Sequence, residues 1–488
     1  MSLWGFTVDD AFIPARYAHH LARGVGYTFN AGQASSDGVT PLGYAHLLSP
    51  FAAEGALAAF VAARWIGAVL WLAAASLLGV AMHRAGVSAS SGGAQVGPRR
   101  FVGLALVLSS APLGAWASAG LETGLVTALV AAAAAAHGLA SPRVAASLVG
   151  LAAGLRPELL PFAAVAALAP LDDARTLEAK RIGAAALRLA LALALFALVA
   201  ALRLSYFGRP MPLSALAKAP DALHGAYYAV ACALLAGPLA LAAPLALAGV
   251  GRARSSEHGA ALPPPRSLRE GRWWAFAVLV HLVAVALAGG DWMPLSRLIV
   301  PVLPVVALAA SQLAIGLECK ARVVHLGRIS VAVAAQLWVA ATVGPRAREV
   351  LADRLAVARE LEPALRGAST VAALDVGWLG LVLPEAVVVD LAGVTDPVVA
   401  AMPGGHTQKR IPDTFLTERR VDALVLLVAR DAALAEPWTK TRFDRGVERW
   451  VALAPSMDER FELRAASSGK LRYAVLLRRE ERFALAGE

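Results

Sequence analysis

The chain has 488 residues, of which 58% are hydrophobic and only 16% charged, and its mean hydropathy is +0.61. This composition excludes an ordinary soluble protein of the same length and is typical of a protein that spans a bilayer. The net charge is +10. Residues 346–488 hold equal numbers of basic and acidic side chains, so the excess belongs to the apolar part and does not indicate a nucleic-acid partner.

Apolar stretches that match the roughly 20 residues needed to cross a bilayer recur in the N-terminal part of the chain. The longer ones are 57–82, 184–205, 226–250, 273–289, 298–317 and 329–345. Shorter ones lie near 101–116, 120–137, 144–156 and 158–170. The sequence therefore predicts a polytopic α-helical membrane protein with about ten spans, and a membrane domain at 1–345.

Residues 346–488 predict a soluble α/β domain. A helical pattern at 346–366 is followed by apolar, β-branched runs that are typical of strands, at 370–374, 386–391, 421–428 and 471–477. Acidic side chains near the ends of these runs could meet at one sheet edge, together with His406. They are Asp375, Asp390 and Asp396.

Basic residues in the loops predict the topology. Loops 83–100, 138–143, 171–183, 251–272 and 318–328 are richer in Lys and Arg than the alternate loops, which places them in the cytoplasm. Residues 1–56 and 346–488 are then extracytoplasmic. Because the first residues offer neither a signal peptide nor a span, we expect one N-terminal helix to precede the recorded start, which would give eleven spans.

The adjacent carboxylates Asp9 and Asp10 are the candidate catalytic pair, in a polar segment before the first span. Neighbouring carboxylates repel, so one of them can have a raised pKa and act as a general base, and the pair could also hold a divalent cation. A structural role is the alternative, since an Asp before Ala-Phe-Ile suits the start of a helix. One Asp could do each job.

Other ionisable residues at the outer ends of the spans are candidate substrate ligands, because charges near lipid are costly and usually functional. They are Arg16, Glu122, Arg156, Glu158, Lys218, Asp291 and Arg297. The cations suit an anionic group, whereas Glu122 and Asp291 could accept hydrogen bonds from hydroxyl groups.

Each of these cations also has a structural alternative. Arg16 could orient the carboxylate of Asp9 through a salt bridge. Arg156 could simply neutralise Glu158, and Lys218 and Arg297 could snorkel to lipid headgroups.

No metal or nucleotide motif accompanies these residues. His19 and His20 are adjacent, so on a helix they point about 100° apart and do not converge on one ion. The glycines Gly377 and Gly380 lack the third glycine of a dinucleotide-binding loop. We therefore expect no certain cofactor and no bound nucleotide.

Several segments, in chain order, resemble bacterial glycosyltransferases of the C superfamily (GT-C), which take sugars from polyprenyl-phosphate carriers. These segments are DDAFIPARY at 9–17, GVGYTFN at 24–30, TPL at 40–42, WASAGLET at 116–123, RPE at 156–158, PMPLSALAK at 210–218, GGDWMP at 289–294 before Arg297, DVGWLG at 375–380 and DLAGVTDP at 390–397. The chain is most similar to the terminal arabinofuranosyltransferases of actinobacterial walls and their relatives.

The resemblance implies an inverting hexosyl- or pentosyltransferase in the bacterial inner membrane, with a polyprenyl-phosphate sugar as donor and a cell-envelope glycan or lipid as acceptor. The chain departs from the family pattern at Met211-Pro-Leu-Ser-Ala215, where an amide and a hydroxyl are lost, and at Gly43, where an aromatic residue is usual. Both departures concern the sugar or acceptor pocket more than the reaction. The alternatives are a polytopic transporter and a non-catalytic envelope-assembly protein.

Overall fold

A computed structural model describes residues 3–90, 105–107, 109–169, 178–218, 221–242, 266–315 and 319–479. The described chain is mostly helical, with one small sheet near its C-terminus. Both features agree with a helical membrane protein that carries a C-terminal α/β domain. The predicted spans at 101–116 and 226–250, and the basic loops 83–100 and 251–272, lie partly outside the described residues.

The helices of the described residues follow in chain order. The α-helices are α1 (Phe12–Ala22), α2 (Tyr44–Leu48), α3 (Ala56–Ser90), α4 (Ala111–Ala117), α5 (Thr123–Gly138), α6 (Pro142–Leu155), α7 (Leu160–Ala167), α8 (Glu178–Phe207), α9 (Leu213–Ala217), α10 (Ala222–Leu235), α11 (Arg266–Leu287), α12 (Leu303–Ile315), α13 (Cys319–Leu365), α14 (Val376–Val382), α15 (Pro397–Ala401), α16 (Asp413–Glu418), α17 (Gly446–Ala452) and α18 (Met457–Arg460). Short 3₁₀ turns occupy Asp9–Ala11, Ser49–Phe51, Pro157–Leu159, Pro238–Leu241, Val300–Val302 and Trp438–Lys440.

Four helices of the described chain are long and apolar enough to cross a membrane. They contain the stretches Ala56–Met82, Ala179–Phe207, Leu268–Leu287 and Ala321–Leu365. These stretches include or overlap the spans predicted at 57–82, 184–205, 273–289 and 329–345. The structure is therefore compatible with a multi-pass membrane protein.

The prediction of about ten spans is not confirmed. Several predicted spans are apolar helices of only 10–17 residues, shorter than the roughly 20 that a bilayer requires. These are Thr123–Gly138, Pro142–Leu155, Pro157–Ala167, Ala222–Leu235 and Val300–Leu313. Proline explains some of the interruptions, since Pro157 directly follows the end of α6 and cannot continue its hydrogen-bond ladder.

The chain forms two compact units. The first, which we call the helical unit, contains Met1–Thr7, Ala63–Pro210 and Pro220–Arg348. The second, which we call the mixed unit, contains Val8–Ala62, Met211–Ala219 and Glu349–Glu488. The unit boundary after Arg348 lies close to the predicted boundary at 345. Residues 8–62 and 211–219, however, belong to the mixed unit, although the sequence assigned them to the membrane domain.

Small residues allow the helices of the helical unit to approach closely. A Cβ on Gly150 of α6 would lie only 2.4 Å from the carbonyl oxygen of Ala192 on α8. One turn later, a Cβ on Gly154 would lie 2.8 Å from Val199. This spacing of small residues four apart is typical of helix pairs packed in membranes.

The mixed unit is built on a five-stranded sheet with the order β2-β1-β3-β5-β4. Its strands are β1 (Thr370–Ala373), β2 (Val387–Asp390), β3 (Ala423–Leu427), β4 (Phe461–Ala466) and β5 (Tyr473–Arg478). β1 pairs in parallel with β2 and β3, whereas β5 runs antiparallel to β3 and β4. The four predicted strands are all present, and β4 was missed.

Burial of the central strands explains why their sequences are almost entirely apolar. Every residue of β1 and of β3 is buried, as expected for central strands covered on both faces. After β1 the chain turns at Asp375 into the short helix α14 and then returns as β2. The strand-to-helix turn at Asp375 therefore lies at the carboxyl end of a parallel strand, where polar sites commonly form in α/β sheets.

Candidate functional site

The predicted site residues divide between the two units. Asp9, Asp10, Arg16 and Lys218 belong to the mixed unit, and the others belong to the helical unit. Those others are Glu122, Arg156, Glu158, Asp291 and Arg297. Each group forms its own arrangement of buried charges.

Asp9 caps a helix, although not the one that follows it in sequence. It lies in the 3₁₀ turn before α1, and α1 itself has no side-chain cap. Both Asp9 oxygens accept backbone N–H groups from the first turn of α14, from Gly377 at 2.9 Å and from Trp378 at 3.0 Å. A Cβ at Gly377 would lie 2.0 Å from the carbonyl oxygen of Asp9, so only glycine permits this approach.

Arg16 binds the opposite end of the same helix. Its Nη1 donates to the carbonyl oxygens of Gly380 at 2.8 Å and Leu383 at 3.0 Å, which lie at the C-terminal end of α14. The remaining N–H groups reach three other acceptors: Phe29 O at 2.6 Å, Ala386 O at 2.8 Å and Asn30 Oδ1 at 3.5 Å. All five donors of this guanidinium, which is 1% exposed, are therefore occupied by protein.

Asp9 and Arg16 thus clamp the two ends of α14. Carboxyl oxygens suit the free N–H groups at the N-terminus of a helix, and a cation at its C-terminus matches the helix dipole. The two side chains act on opposite ends of one helix, so Arg16 does not orient Asp9 by the direct salt bridge considered from the sequence.

Asp375, at the turn between β1 and α14, is the centre of a buried ionic network. Arg445 grips its carboxylate with two hydrogen bonds, of 2.8 and 3.1 Å, and the Tyr473 hydroxyl donates a third. Arg354 on α13 lies 3.8 Å away. Arg445 also pairs with the buried Glu448 at 2.8 Å. The network fixes the turn from which α14 presents its N–H groups to Asp9.

The two buried carboxylates differ in their affinity for a proton. Burial, followed by the charge of Asp375, raises the pKa of Asp9 to about 8, although Arg354 and the Trp378 N–H act in the opposite direction. Burial alone would also raise the pKa of Asp375, but Arg445 and Arg354 outweigh it and hold that pKa well below its usual range. Asp375 is therefore the charged member and Asp9 the one that can take up a proton.

Asp10 is the more accessible acid of the pair. It is half-buried and lies next to Asp9 in the same 3₁₀ turn, whereas Asp9 is buried and has both oxygens engaged. Lys218, which follows α9, is half-buried too. These two residues are thus the predicted site residues of the mixed unit that retain access to solvent.

In the helical unit, five predicted residues form one buried cluster. Arg156 donates to Glu122 at 2.5 Å and to Glu158 at 2.7 Å. Arg297 shares Glu122, at 3.3 Å, and lies 3.9 Å from Asp291. The break between α6 and the Pro157–Leu159 turn brings Arg156 and Glu158 side by side, because Arg156 is extended where the helix ends.

This cluster is incompletely satisfied. The Nε of Arg297 is buried and has no hydrogen-bond acceptor within the described residues. Its Nη1 contacts only the weak acceptor Met293 Sδ, at 2.8 Å, besides the distant Asp291. The guanidinium also lies over the ring of Trp116, at 5.6 Å. The hydroxyl of Thr123, next to Glu122, is also buried without a hydrogen-bond partner among the described residues.

No model of a known protein family matches the chain, and no curated protein matches it. What the two charged arrangements can do chemically therefore follows from their own geometry.

The predicted alternatives come out differently for each residue. Arg156 does pair with Glu158, as one alternative had it, and with Glu122 as well. Arg297 is 7% exposed and therefore does not extend toward a headgroup. Asp390 accepts the N–H groups of its own loop, from residues 392, 393 and 395, and Asp396 caps α15. The latter two acids thus stabilise local turns.

Sequence reasoning missed four residues of the Asp375 network: Arg354, Tyr473, Arg445 and Glu448. A signal existed for Arg445 and Glu448, since a Glu three residues after a helix cap is typical of a helix start. Arg354 and Tyr473 carry no such signal. Among the described residues, no group of three or more His, Cys, Asp or Glu side chains could hold a metal ion.

Proposed function

We propose that this chain is a multi-pass membrane glycosyltransferase of the GT-C type. It transfers a hexosyl or pentosyl group from a polyprenyl phosphate to a glycan or lipid of the bacterial cell envelope. The observation that carries the proposal is the buried Arg297, whose Nε has no acceptor in the part of the chain that the structure describes. A buried guanidinium with an unused donor is costly unless a ligand supplies the acceptor, and phosphate oxygens suit it well.

The residues take separate roles in this proposal. Arg297 binds the phosphate of the donor. Glu122 holds the guanidinium in place, and Arg156 pairs with both Glu122 and Glu158, which offsets part of the cost of burying them. Asp291 and Glu122 are the candidate partners of sugar hydroxyls, and Lys218 remains a candidate substrate ligand in the mixed unit.

Asp10 is the proposed base. The acceptor hydroxyl oxygen forms a bond to the anomeric carbon from the side opposite the phosphate. The bond from that carbon to the phosphate oxygen breaks, its electron pair leaves with the polyprenyl phosphate, and the hydroxyl proton passes to the carboxylate of Asp10. This displacement inverts the anomeric centre. Asp9 supports the turn that carries Asp10, because its own oxygens are bound by α14.

The proposed location is the inner membrane, with the mixed unit on the extracytoplasmic side. Two facts support this location. The loop charges predict it, and the hydrogen bonds from Gly377 and Trp378 to Asp9 require residues 9 and 377 to lie on the same side of any bilayer.

The test is a transfer assay. The purified protein in liposomes is offered polyprenyl-phosphate pentoses and hexoses with envelope glycan acceptors, and the products are identified by mass spectrometry. Asp10→Asn should lower kcat by about 10²–10⁴-fold, the usual contribution of a general base. Asp431→Asn, at an exposed loop carboxylate, is the matched control.

Two results would count against the proposal. One is a folded Asp10→Asn protein that transfers sugar at the wild-type rate. The other is no transfer from any lipid-linked donor combined with solute uptake by the same vesicles, which would favour a transporter.

A further inference from the structure

The segment between Asp37 and Glu54 contains no charged residue. In the mixed unit it forms α2 and the following 3₁₀ turn, Ser49–Phe51. One face of α2 is buried, through Tyr44, Ala45 and Leu48. On the other side Leu47 and Phe51, four positions apart, are 43% and 49% exposed. The segment is therefore apolar on both its buried and its exposed side, and the exposed side carries no Lys, Arg, Asp or Glu.

The exposed apolar surface continues into a helix that can cross a membrane. Ala56 begins the apolar stretch Ala56–Met82, only five positions after Phe51. Its first turns belong to the mixed unit and expose Leu57 at 42% and Val61 at 44%. On a helix that crosses a bilayer, the exposed leucine and valine side chains face lipid, because acyl chains replace water as the solvent there.

A second segment of the mixed unit has the same character. α9 begins six positions after Phe207, the end of another candidate span, and its Leu213 and Ala217 pack against Ala400. Its outward side exposes Leu216 at 52%, and Met211 just before it is 41% exposed.

A hydrogen bond of 2.9 Å between the hydroxyls of Thr40 and Ser214 joins this helix to the segment that leads into α2. Both apolar segments are therefore tied together, and each adjoins a candidate span.

We propose that Leu47, Phe51, Met211 and Leu216 form a lipid margin, a surface by which the mixed unit inserts into the interfacial layer of the bilayer. The occupant is lipid, because both segments are continuous with helices of membrane-spanning length. An uncharged segment beside a span can lie in the plane of the interface, with its exposed apolar side chains in the acyl boundary. The inference rests on the membrane assignment and is independent of the glycosyltransferase activity.

Spin-label accessibility in liposomes tests the lipid margin. Single cysteines replace Leu47, Phe51, Met211 or Leu216 in a full-length protein whose native Cys232 and Cys319 are changed to Ala, and each is labelled with a nitroxide. Collision rates with apolar oxygen and with a water-soluble nickel chelate then report depth. Leu453→Cys, at a residue of the same unit that is 77% exposed, is the matched aqueous reference.

We expect the ratio of oxygen to nickel collisions to be several-fold higher at the four margin positions than at position 453. Equal ratios at all five positions would show that the surface lies in water and would overturn the inference. Protection of the four positions from both reagents would overturn it too, since a covering protein would then be the partner. Neither outcome depends on sugar transfer.

Discussion

Two buried arginines, one in each unit, show opposite kinds of environment. Arg16 in the mixed unit donates all five N–H groups to protein acceptors. Arg297 in the helical unit shares one carboxylate, contacts a thioether and leaves Nε without an acceptor within the described residues. The comparison teaches that burial of a cation does not by itself mark a binding site. The number of donors left over distinguishes Arg297 from Arg16.

The most severe change should be the loss of Arg16. Arg16→Met would leave the carbonyl groups of residues 29, 380 and 386 without the donor that Arg16 supplies, at about 1–3 kcal/mol for each group that stays dry, whereas that of Leu383 keeps the N–H of Ala386. We expect the free energy of unfolding to fall by at least about 3 kcal/mol, measured by thermal or denaturant unfolding in detergent.

Arg23→Met on the same segment is the control for Arg16→Met. Arg23 forms an exposed ion pair with Glu385, which contributes little to stability because solvent screens it. If both variants lost the same stability, the clamp on α14 would be an incorrect account of Arg16.

The next effect concerns the pH dependence of stability. Because the pKa of Asp9 is raised to about 8 in the folded chain from an ordinary value of 3.8, its contribution is complete below pH 4 and is lost as the pH rises through 8. Relative to Asp9→Asn, the wild type should therefore lose stability between pH 4 and 8, on the order of a few kcal/mol.

The measurement is the melting temperature of both proteins across that pH range, with Asp431→Asn as an exposed control. A difference between wild type and Asp9→Asn that stays constant with pH would mean that Asp9 keeps its ordinary pKa. A wild type that instead loses stability relative to Asp9→Asn as the pH falls would mean that the pKa of Asp9 is depressed, as it is for Asp375.

Arg297 should show the reverse of Arg16, a large effect on substrate and a small one on stability. Arg297→Lys keeps a charge beside Glu122 but removes the Nε donor and the planar fork. We expect the KM for the lipid-linked donor to rise about tenfold, which corresponds to ~1.4 kcal/mol.

Arg156→Lys sharpens the contrast, because Arg156 donates to two carboxylates of the protein. It should reduce stability more than Arg297→Lys does and change the KM less. The opposite pattern would identify Arg156 as the phosphate ligand.

The smallest effect is expected at the edge of the Asp375 network. Tyr473→Phe removes one hydrogen bond to that carboxylate but leaves both bonds from Arg445. The free energy of unfolding should fall by about 1–2 kcal/mol. A loss as large as that of Arg16→Met would show that the tyrosine, and not Arg445, holds Asp375 in place.

The sequence predicted the parts of the fold that depend on local pattern. The apolar stretches at 57–82 and 184–205 are long helices, and the β-branched runs at 370–374 and 421–428 are buried strands. β4 was missed because the predicted strands are continuous apolar runs, whereas β4 alternates apolar residues with Glu462 and Arg464, as is typical of a half-exposed strand at a sheet edge. The shorter predicted spans are not confirmed, because the apolarity of a stretch does not reveal where its helix stops.

The site was predictable as a set of residues and not as an arrangement. Asp9 and Arg16 stood out by charge, yet their partners are backbone groups of α14, which have no sequence signature. An arginine whose N–H donors are all hydrogen-bonded and one with an unused donor look the same in sequence. The distinction depends on carbonyl oxygens hundreds of positions away, and only the folded chain brings them together.

The clamp on α14 also fixes an order of events during synthesis. Asp9 and Gly377 are separated by 368 positions, so Asp9 cannot bind its partner until all of those positions have been synthesised. The four candidate spans of the described residues all precede Gly377 in the chain. The segment around Asp9 therefore reaches its native state late, and a nascent chain halted before residue 377 cannot complete it.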